Sequence, residues 1–497
     1  MSSPETRWIT PRSPLTGEDV GTVAITEPAD VAAVVATSRV AFASWGAMSH
    51  SERKPYLRKF AKHVLRSMNR IADVVVAETG KDRGDALAEI NAGLTALDFF
   101  TRNAGKLLRR KKGTSWPFLI TKGWTEYHPL GVAGIISPWN YPFYLPLLSA
   151  TQALSAGCTV VIKPSEITPL SGHLVQDLAI EAGIPKDVVQ VIHGAGATGA
   201  ALVDADTDMI AFTGSPAVGK KIAVAAAASL KPTILELGGN DAQIVLEDAA
   251  IKDAAKAAVT FGVFNAGQTC VGIERVYVVD EIYDEFMSEA RKAIGKVSAA
   301  TGNKGDIGPL ISPAQVHVIE DHLQEAVDRG ATVLAGGTRV ETDHGIYFEP
   351  TLIEDVDHSM AVMTEETFGP LVPVMRVADE AEAIAMANDS NYGLHGSVWT
   401  RDKKRGAEIA GSLQTGTVAV NDHLVNFFFP SIKLGGIGDS GLHGQLGEEG
   451  IKGFSIHRSI TSARFVPTTK LLGAWLPRRV GSRYWILLAK GLFGWRR

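Results

Sequence analysis

The sequence predicts an α/β protein: two doubly wound α/β domains, each a mainly parallel sheet covered by helices, with a small β element beside them. Two observations predict it. Between Gly131 and Leu237 short β-branched or apolar runs alternate with helical stretches, and a second series of such runs follows from Gln243 to Asn421. Successive βα units of this kind make parallel sheets buried on both faces. The chain also has the material for them: 497 residues, 45% hydrophobic and 21% charged, are enough for two or more cores at roughly 100 to 200 residues per domain.

Taken in order, the chain opens helically. From Pro28 to about Lys112 apolar positions recur at three- and four-residue spacing, clearest through Ser51 to Glu78 and Leu87 to Leu108. The segment Trp116 to His128 alternates like an exposed ribbon, either an edge hairpin or a strand offered to another subunit, since unpaired edges need covering. The first sheet then reads as GIIS from Gly134, TVVIK from Thr159, VVQVI from Val188, MIAFT from Met209 and TILEL from Thr233. The second reads as Gln243 to Leu246, Val276 to Val279, Leu371 to Val377, Ser397 to Thr400 and Thr417 to Asn421. Two such domains facing each other make a cleft, and ligands bind beyond the carboxyl ends of the strands.

Composition narrows the function. With 54 acidic against 49 basic groups, net −5, there is no global electrostatic reason to expect a nucleic acid partner. Two cysteines cannot staple a chain of this size, so a reducing, cytoplasmic location is expected. The start, MSSPETRWITPRSP, lacks the apolar core of a signal peptide, and no run approaches the roughly 20 apolar residues of a spanning helix.

Several motif matches fall short. Gly194, Gly196 and Gly199 spell GxGxxG after a strand, but the acidic residue expected about 20 positions on is missing. GSPAVGKK from Gly214 has P-loop spacing with Lys221 where a magnesium-binding hydroxyl belongs; what survives is a Gly-rich turn opening a helix, whose free N–H groups suit a pyrophosphate. GDSGL around Ser440 misses the hydrolase elbow by one position, and neither HExxH nor metal-site cysteine spacing occurs.

Three short words remain: PWNYP (138–142), LELGGN (235–240) and GQTC (267–270). Each is expected at a strand's end or in the loop after it. Cys270, among Gly and small polar residues, suits a thiolate nucleophile, although most free cysteines are inert buried thiols. Glu236, following an apolar strand, suits a general base of raised pKa. Asn140, in a turn stiffened by Pro138 and Pro142, can aim an amide N–H at an oxyanion.

Together with AGCTVVIKPSE, AFTGSPAVG, FNAGQTC, FEPTL, EETFGP and NYGL, these words stand in the order and spacing of the aldehyde dehydrogenase superfamily, which the chain resembles from about Pro14 to about Ser462. The resemblance implies a Rossmann-like NAD(P)-binding domain over 1–115 and 130–236, a catalytic domain over 237–440, and an oligomerisation element over 116–129 and 441–462. A homodimer or homotetramer follows from it. It implies that Cys270 attacks the aldehyde to give a thiohemiacetal, that Asn140 and the Cys270 N–H hold the oxyanion, that hydride leaves to nicotinamide, and that Glu236 activates water to hydrolyse the thioester. Lys163 is carried over with the catalytic set and, with Ser165 and Glu166, as an adenosine-ribose contact. Ile136, Ser137, Pro138, Trp139, Gly196, Phe212, Thr213, Gly214, Ser215, Gly219, Leu237, Gly238, Glu366 and Phe368 are the remaining cofactor positions. A carboxylate at Glu166 repels a 2′-phosphate, so NAD is favoured, with NADP admitted. The general base separates hydrolytic members from those that pass the acyl group to coenzyme A.

Substrate contacts are expected from Tyr141 and from the loop NDHLVNFFFP, whose Phe427, Phe428 and Phe429 make either a packed strand or an apolar mouth for aliphatic or aromatic aldehydes. The chain is also similar to succinate-semialdehyde dehydrogenases, but no cationic anchor for an acidic substrate is identifiable. A catalytically idle, membrane-associated protein of the same fold is a further alternative, against which the intact Asn140, Glu236 and Cys270 speak. Gly438, His443 and Gly444 depart from the usual form of the following Gly-rich loop. Finally, 463–497 holds eight Lys or Arg and no acid, ending RYWILLAKGLFGWRR, the make-up either of an interfacial anchor or of a helix laid across a neighbouring subunit or the substrate entrance.

Overall fold

The computed structural model describes residues 7–115, 121–299, 306–464 and 478–494. The helical opening is present as Val31–Trp45, His50–Arg66, Met68–Thr79 and Arg83–Leu107. Ser49 starts the second of these with a capping box: its hydroxyl accepts from the Glu52 N–H, and the Glu52 carboxylate accepts from the Ser49 N–H at 2.6 Å. The third ends at Gly80, whose φ of +70° is the left-handed turn glycine provides at little cost. That turn delivers Lys81 into the interior. The long fourth helix packs on Tyr144–Ala156, every residue of which is buried. A helix buried on all sides belongs at the centre of a core, and this one, although it carries Ser149, Thr151, Gln152 and Ser155, lies in the core that includes Trp45, Phe60, Phe100 and Phe454.

Two sheets follow, as expected. The first runs Gly441–Leu442, Thr233–Glu236, Met209–Thr213, Val132–Ile136, Thr159–Lys163, Val189–Val191, parallel except for its outer strand. The second has seven strands, with Asp241–Val245, Ile273–Val279 and Leu371–Val377 adjacent at its centre, and is parallel apart from the Thr332–Ala335 edge. Its core includes Tyr277, Phe286 and Met363. A three-stranded antiparallel ribbon joins Lys111–Lys112, Thr121–Pro129 and Ser455–Ala463; the expected ribbon start at 116–120 lies outside the described residues.

Two expectations change. Gly441–Leu442, read with the ribbon, instead completes the first sheet by pairing with Glu236 and Leu235, because the chain doubles back beside the last parallel strand. And GQTC does not follow a strand: it lies between the helix Ile251–Val263 and the start of Ile273–Val279, at the amino edge of the second sheet.

Candidate active site

The site forms where the carboxyl edge of the first sheet meets the amino edge of the second. Glu236 is the last residue of its strand, Leu237–Asn240 cross over, and Asp241 opens the second sheet beside the segment that carries Cys270. The rule that ligands gather at carboxyl ends holds for the first sheet only; the second supplies its thiol from the opposite edge.

A cleft of about 310 Å³ opens there, lined by Pro138, Trp139, Asn140, Thr213, Gly214, Ser215, Leu237, Gly238, Cys270, Glu366 and Phe368, together with Gln315 and Val318. Trp139 and Phe368 meet edge to face, ring centres 5.6 Å apart. Phe368 is held at φ +53° because the Glu274 carboxylate accepts the Thr367 and Phe368 N–H groups at 2.8 and 3.0 Å. Such a strained non-glycine backbone persists only when its surroundings fix it. Gly238 gives room to Glu366, whose carboxylate accepts the Gly239 N–H at 2.9 Å; a Cβ on Gly238 would lie 2.1 Å from the Glu366 Oε2.

Asn140 is fixed from several directions. Its Nδ2 donates to the Gln268 carbonyl at 3.1 Å, while its own carbonyl accepts from Lys81 Nζ at 2.7 Å and Asn265 Nδ2 at 3.3 Å. One amide hydrogen of Nδ2 is left for the cleft. Lys81 also pairs with Glu89 at 2.8 Å, both buried, and Glu89 in turn accepts the Phe143 and Tyr144 N–H groups. On the other strut, Asn265 and Ala266 both have φ above +50°, and Gln268 Nε2 donates to the Asn265 carbonyl at 2.9 Å, a tight loop that leads into Cys270.

Electrostatically the site is a cluster of carboxyl groups taken out of water. Burial pushes Glu236 up to about 8, and its Oε1 has no hydrogen-bond partner. Burial also raises Glu366 and Glu274, which lie close enough to repel. Burial first, then the neighbouring Glu366, Asp241 and Glu236, hold the Cys270 thiol well above its ordinary value, so it rests protonated.

Other expected positions lie along the first sheet's carboxyl edge rather than in the cleft. Ile136 and Lys163 end adjacent strands in register, with Phe212 opposite Ile136 on the next strand, the Ser137 N–H donates to the Lys163 carbonyl, and Lys163 Nζ donates to Glu166 at 3.0 Å. Nothing brings Lys163 to the lining beside Cys270. Ser165 accepts the Ile167 N–H, and Gly196 opens the helix Gly196–Asp204. Ser215 precedes the helix Pro216–Ala228 without capping it, so its first N–H groups stay available at the cleft wall, and Gly219 packs so closely on Leu237 that a Cβ would lie 2.4 Å away. An uncapped helix start, an aromatic pair and a carboxylate around one cleft fit the diphosphate, nicotinamide and ribose of a dinucleotide.

On the other side of Cys270, its neighbours Thr269 and Val271 line a hollow with Asp85, Tyr141, Phe427 and Phe428. Only about 10 Å³ of it is free, because Phe427 packs against Tyr144 and Tyr141 at 4.6 and 5.9 Å. Phe429 is not in this lining and is 48% exposed: the turn Leu424–Phe428 ends before it. Sequence reading missed Gln315, Val318, Lys81, Glu89, Gln268 and His423. The last, fully buried, has Nε2 2.9 Å from the Val271 carbonyl, next to the cysteine.

The aldehyde dehydrogenase family model matches residues 1–460, and the chain belongs to that family. It is 37% identical over 446 residues to a 4,4′-diapolycopene aldehyde oxidase of Methylomonas sp, covering 89% of this chain and 83% of the relative. It is 35% identical to the mitochondrial succinate-semialdehyde dehydrogenase of Arabidopsis thaliana, covering 91% and 85%. The fold superposes on a Mycobacterium tuberculosis aldehyde dehydrogenase complexed with NAD+ with a TM-score of 0.88 and 34% identity, over 94% and 96% of the two chains. The protein is therefore an NAD(P)-dependent oxidoreductase of aldehydes.

Proposed function

We propose that the protein oxidises apolar aldehydes to carboxylic acids and that Cys270, Asn140 and Glu236 carry the chemistry. The observation that carries this reading is the shared geometry: a thiol and a braced amide line one cleft, and a buried carboxyl oxygen without a partner belongs to the strand beside it. Cys270 adds to the aldehyde carbon once its proton has passed to a neighbouring carboxylate. The oxyanion of the thiohemiacetal accepts from the free Nδ2 hydrogen of Asn140 and the Cys270 N–H. NAD, when bound in the cleft, supplies the hydride acceptor. Glu366 would hold the nicotinamide ribose, Trp139 and Phe368 would line the cofactor, and Gly214 to Gly219 would receive the diphosphate; Lys163, Ser165 and Glu166 would serve the adenosine end. Glu236, deprotonated, takes a proton from the water that attacks the thioester, and the free acid leaves.

The apolar preference has two supports. Among the described residues, the hollow around Tyr141, Phe427 and Phe428 is lined by no Lys, Arg or His and by the Asp85 and Glu89 carboxyls; Lys81, whose ammonium lies 4.6 Å from the centre of the Tyr141 ring, is already paired with Glu89, so a semialdehyde's carboxylate would find no free cation there. The Methylomonas relative, moreover, is named for the aldehyde of a hydrocarbon. The relative named for succinate semialdehyde keeps that substrate as the competing reading.

We assign the NAD(P)-binding domain to 1–115 and 130–236, the catalytic domain to 237–440, and oligomerisation to 116–129 and 441–462, whose described ribbon strands are Thr121–Pro129 and Ser455–Ala463. The exposed side of the ribbon suits a partner subunit in a homodimer or homotetramer. The body is read as cytoplasmic, with the basic C-terminal tail as its peripheral membrane contact; among the described residues no helix is long and apolar enough to cross a membrane. Assaying propanal, octanal, benzaldehyde and succinic semialdehyde with NAD and NADP tests the function. Octanal and benzaldehyde should lead in kcat/KM; a preference for succinic semialdehyde would overturn the apolar reading.

A further inference from the structure

We propose that the helix Arg478–Phe493 docks the protein on an anionic lipid surface through the stripe Arg483, Ile486, Leu487, Lys490 and Phe493. The reading rests on, and sharpens, the peripheral contact assigned to the tail. These positions follow the i, i+3, i+4, i+7, i+10 spacing of one helix side, and all of them are exposed: Ile486 by 55%, Leu487 by 68% and Phe493 by 49%. Such large apolar side chains aligned in water, with two cations among them, are a surface waiting for a cover.

Charge decides which cover. Residues 463–497 carry eight Lys or Arg and no acid, while the rest of the chain has 41 basic against 54 acidic groups. A nucleic acid would satisfy the cations and leave Ile486, Leu487 and Phe493 in water. An apolar groove on another protein would satisfy those three and bury the cations unpaired. An anionic bilayer satisfies both, since Arg and Lys reach the headgroups while the apolar side chains sit just beneath them. At 16 residues and about 1.5 Å per residue the helix is roughly 24 Å long, so it lies in the interface rather than crossing it. The acidic body is repelled by the same surface, which leaves the tail as the point of attachment. A bilayer is also where apolar aldehydes accumulate, so attachment there would bring the aromatic hollow to its substrate.

Full-length protein is to be floated with vesicles of phosphatidylcholine alone and of phosphatidylcholine with phosphatidylglycerol. Flotation is expected only with phosphatidylglycerol and should weaken as salt is raised. Both Ile486→Ser/Leu487→Ser/Phe493→Ser and Arg483→Glu/Lys490→Glu should lose at least tenfold in binding, with unchanged propanal oxidation and unchanged elution volume. Wild-type protein that stays unbound with both vesicles overturns the proposal. So does a triple variant that floats normally but changes oligomer size, which would assign the stripe to a subunit interface. Octanal oxidation without vesicles reads the hollow independently, so loss of the apolar substrate reading and loss of the lipid reading are distinguishable.

Discussion

The two sides of Cys270 are built on different plans. Toward Trp139 and Phe368 the cleft is open, about 310 Å³, with its polar groups braced by the crossover at Gly239 and by Glu274 on the second sheet. Toward Phe427 the hollow is apolar and almost filled, with about 10 Å³ free, and its wall is a short turn. The first side is preorganised for one conserved shape of ligand; the second must let an aromatic side chain move before anything enters. That difference teaches where variation is affordable: a preformed polar cleft loses much from one wrong atom, whereas a packed aromatic mouth changes its preference by rotamer and volume.

The comparison can be broken or sharpened by substitution, beginning at the thiol, which lines the cleft and whose sequence neighbours Thr269 and Val271 line the hollow. Cys270→Ser should lower NADH formation by about a thousandfold or more, since a hydroxyl is far less nucleophilic, while NAD binding measured by fluorescence stays intact. A comparable rate in the variant would remove the cysteine from the mechanism. Glu236→Gln comes next, slowing steady turnover about 10²- to 10⁴-fold but keeping a single-turnover burst of NADH, because only the hydrolytic step needs the base. The pH profile carries the same signature. With Glu236 pushed up to about 8, it is mostly protonated at pH 7, so the wild-type steady rate should climb through pH 8 and level off only about a unit above it. The variant should lose that climb, and a wild-type profile flat from pH 6 to 9 would count against Glu236.

Asn140→Ala should cost about 10²- to 10³-fold in kcat with little change in KM, the mark of a donor used in the transition state. On the other side, Phe427→Ala should increase kcat/KM for benzaldehyde relative to propanal and leave the Kd for NAD unchanged, at about 3 to 5 kcal/mol of stability measured by denaturant unfolding. An unaltered benzaldehyde to propanal ratio would mean the mouth lies elsewhere. The smallest effect is expected at the rim: Glu166→Gln should shift the NADP to NAD preference upward by roughly tenfold, about what one exposed charge repulsion is worth. A ratio that does not move would separate Glu166 from the adenosine ribose.

Sequence reading reached what periodicity and local words can carry. The strand of Glu236, the turn of Asn140 and the Gly-rich start of the helix at Pro216 announce themselves within a few residues, because each is a local solution to a backbone problem. Lys81 did not. Its role comes from reaching the Asn140 carbonyl, 59 positions on, and only the packing of the helix Arg83–Leu107 against Tyr144–Ala156 brings the two together. Gln315 and Val318 sit on a helix of the second half with no motif around them, so nothing marks them until the sheets face each other. The three phenylalanines were legible as a group but not singly, since which of them faces inward depends on where one short turn stops.

The pairing of Gly441 with Glu236 has a consequence for how the enzyme comes into being. The proposed base sits in a strand whose outer neighbour is made 205 residues later, and a Cβ on Gly435 would lie 3.0 Å from its Oε1. A ribosome therefore releases the thiol, the amide and the carboxylate long before the segment that encloses that carboxylate exists. Contacts of such sequence separation form late in folding. The pocket around Glu236, and with it the raised pKa that hydrolysis calls for, should be among the last features to appear, so that a half-made or truncated chain carries the reactive groups without the environment that makes them an enzyme.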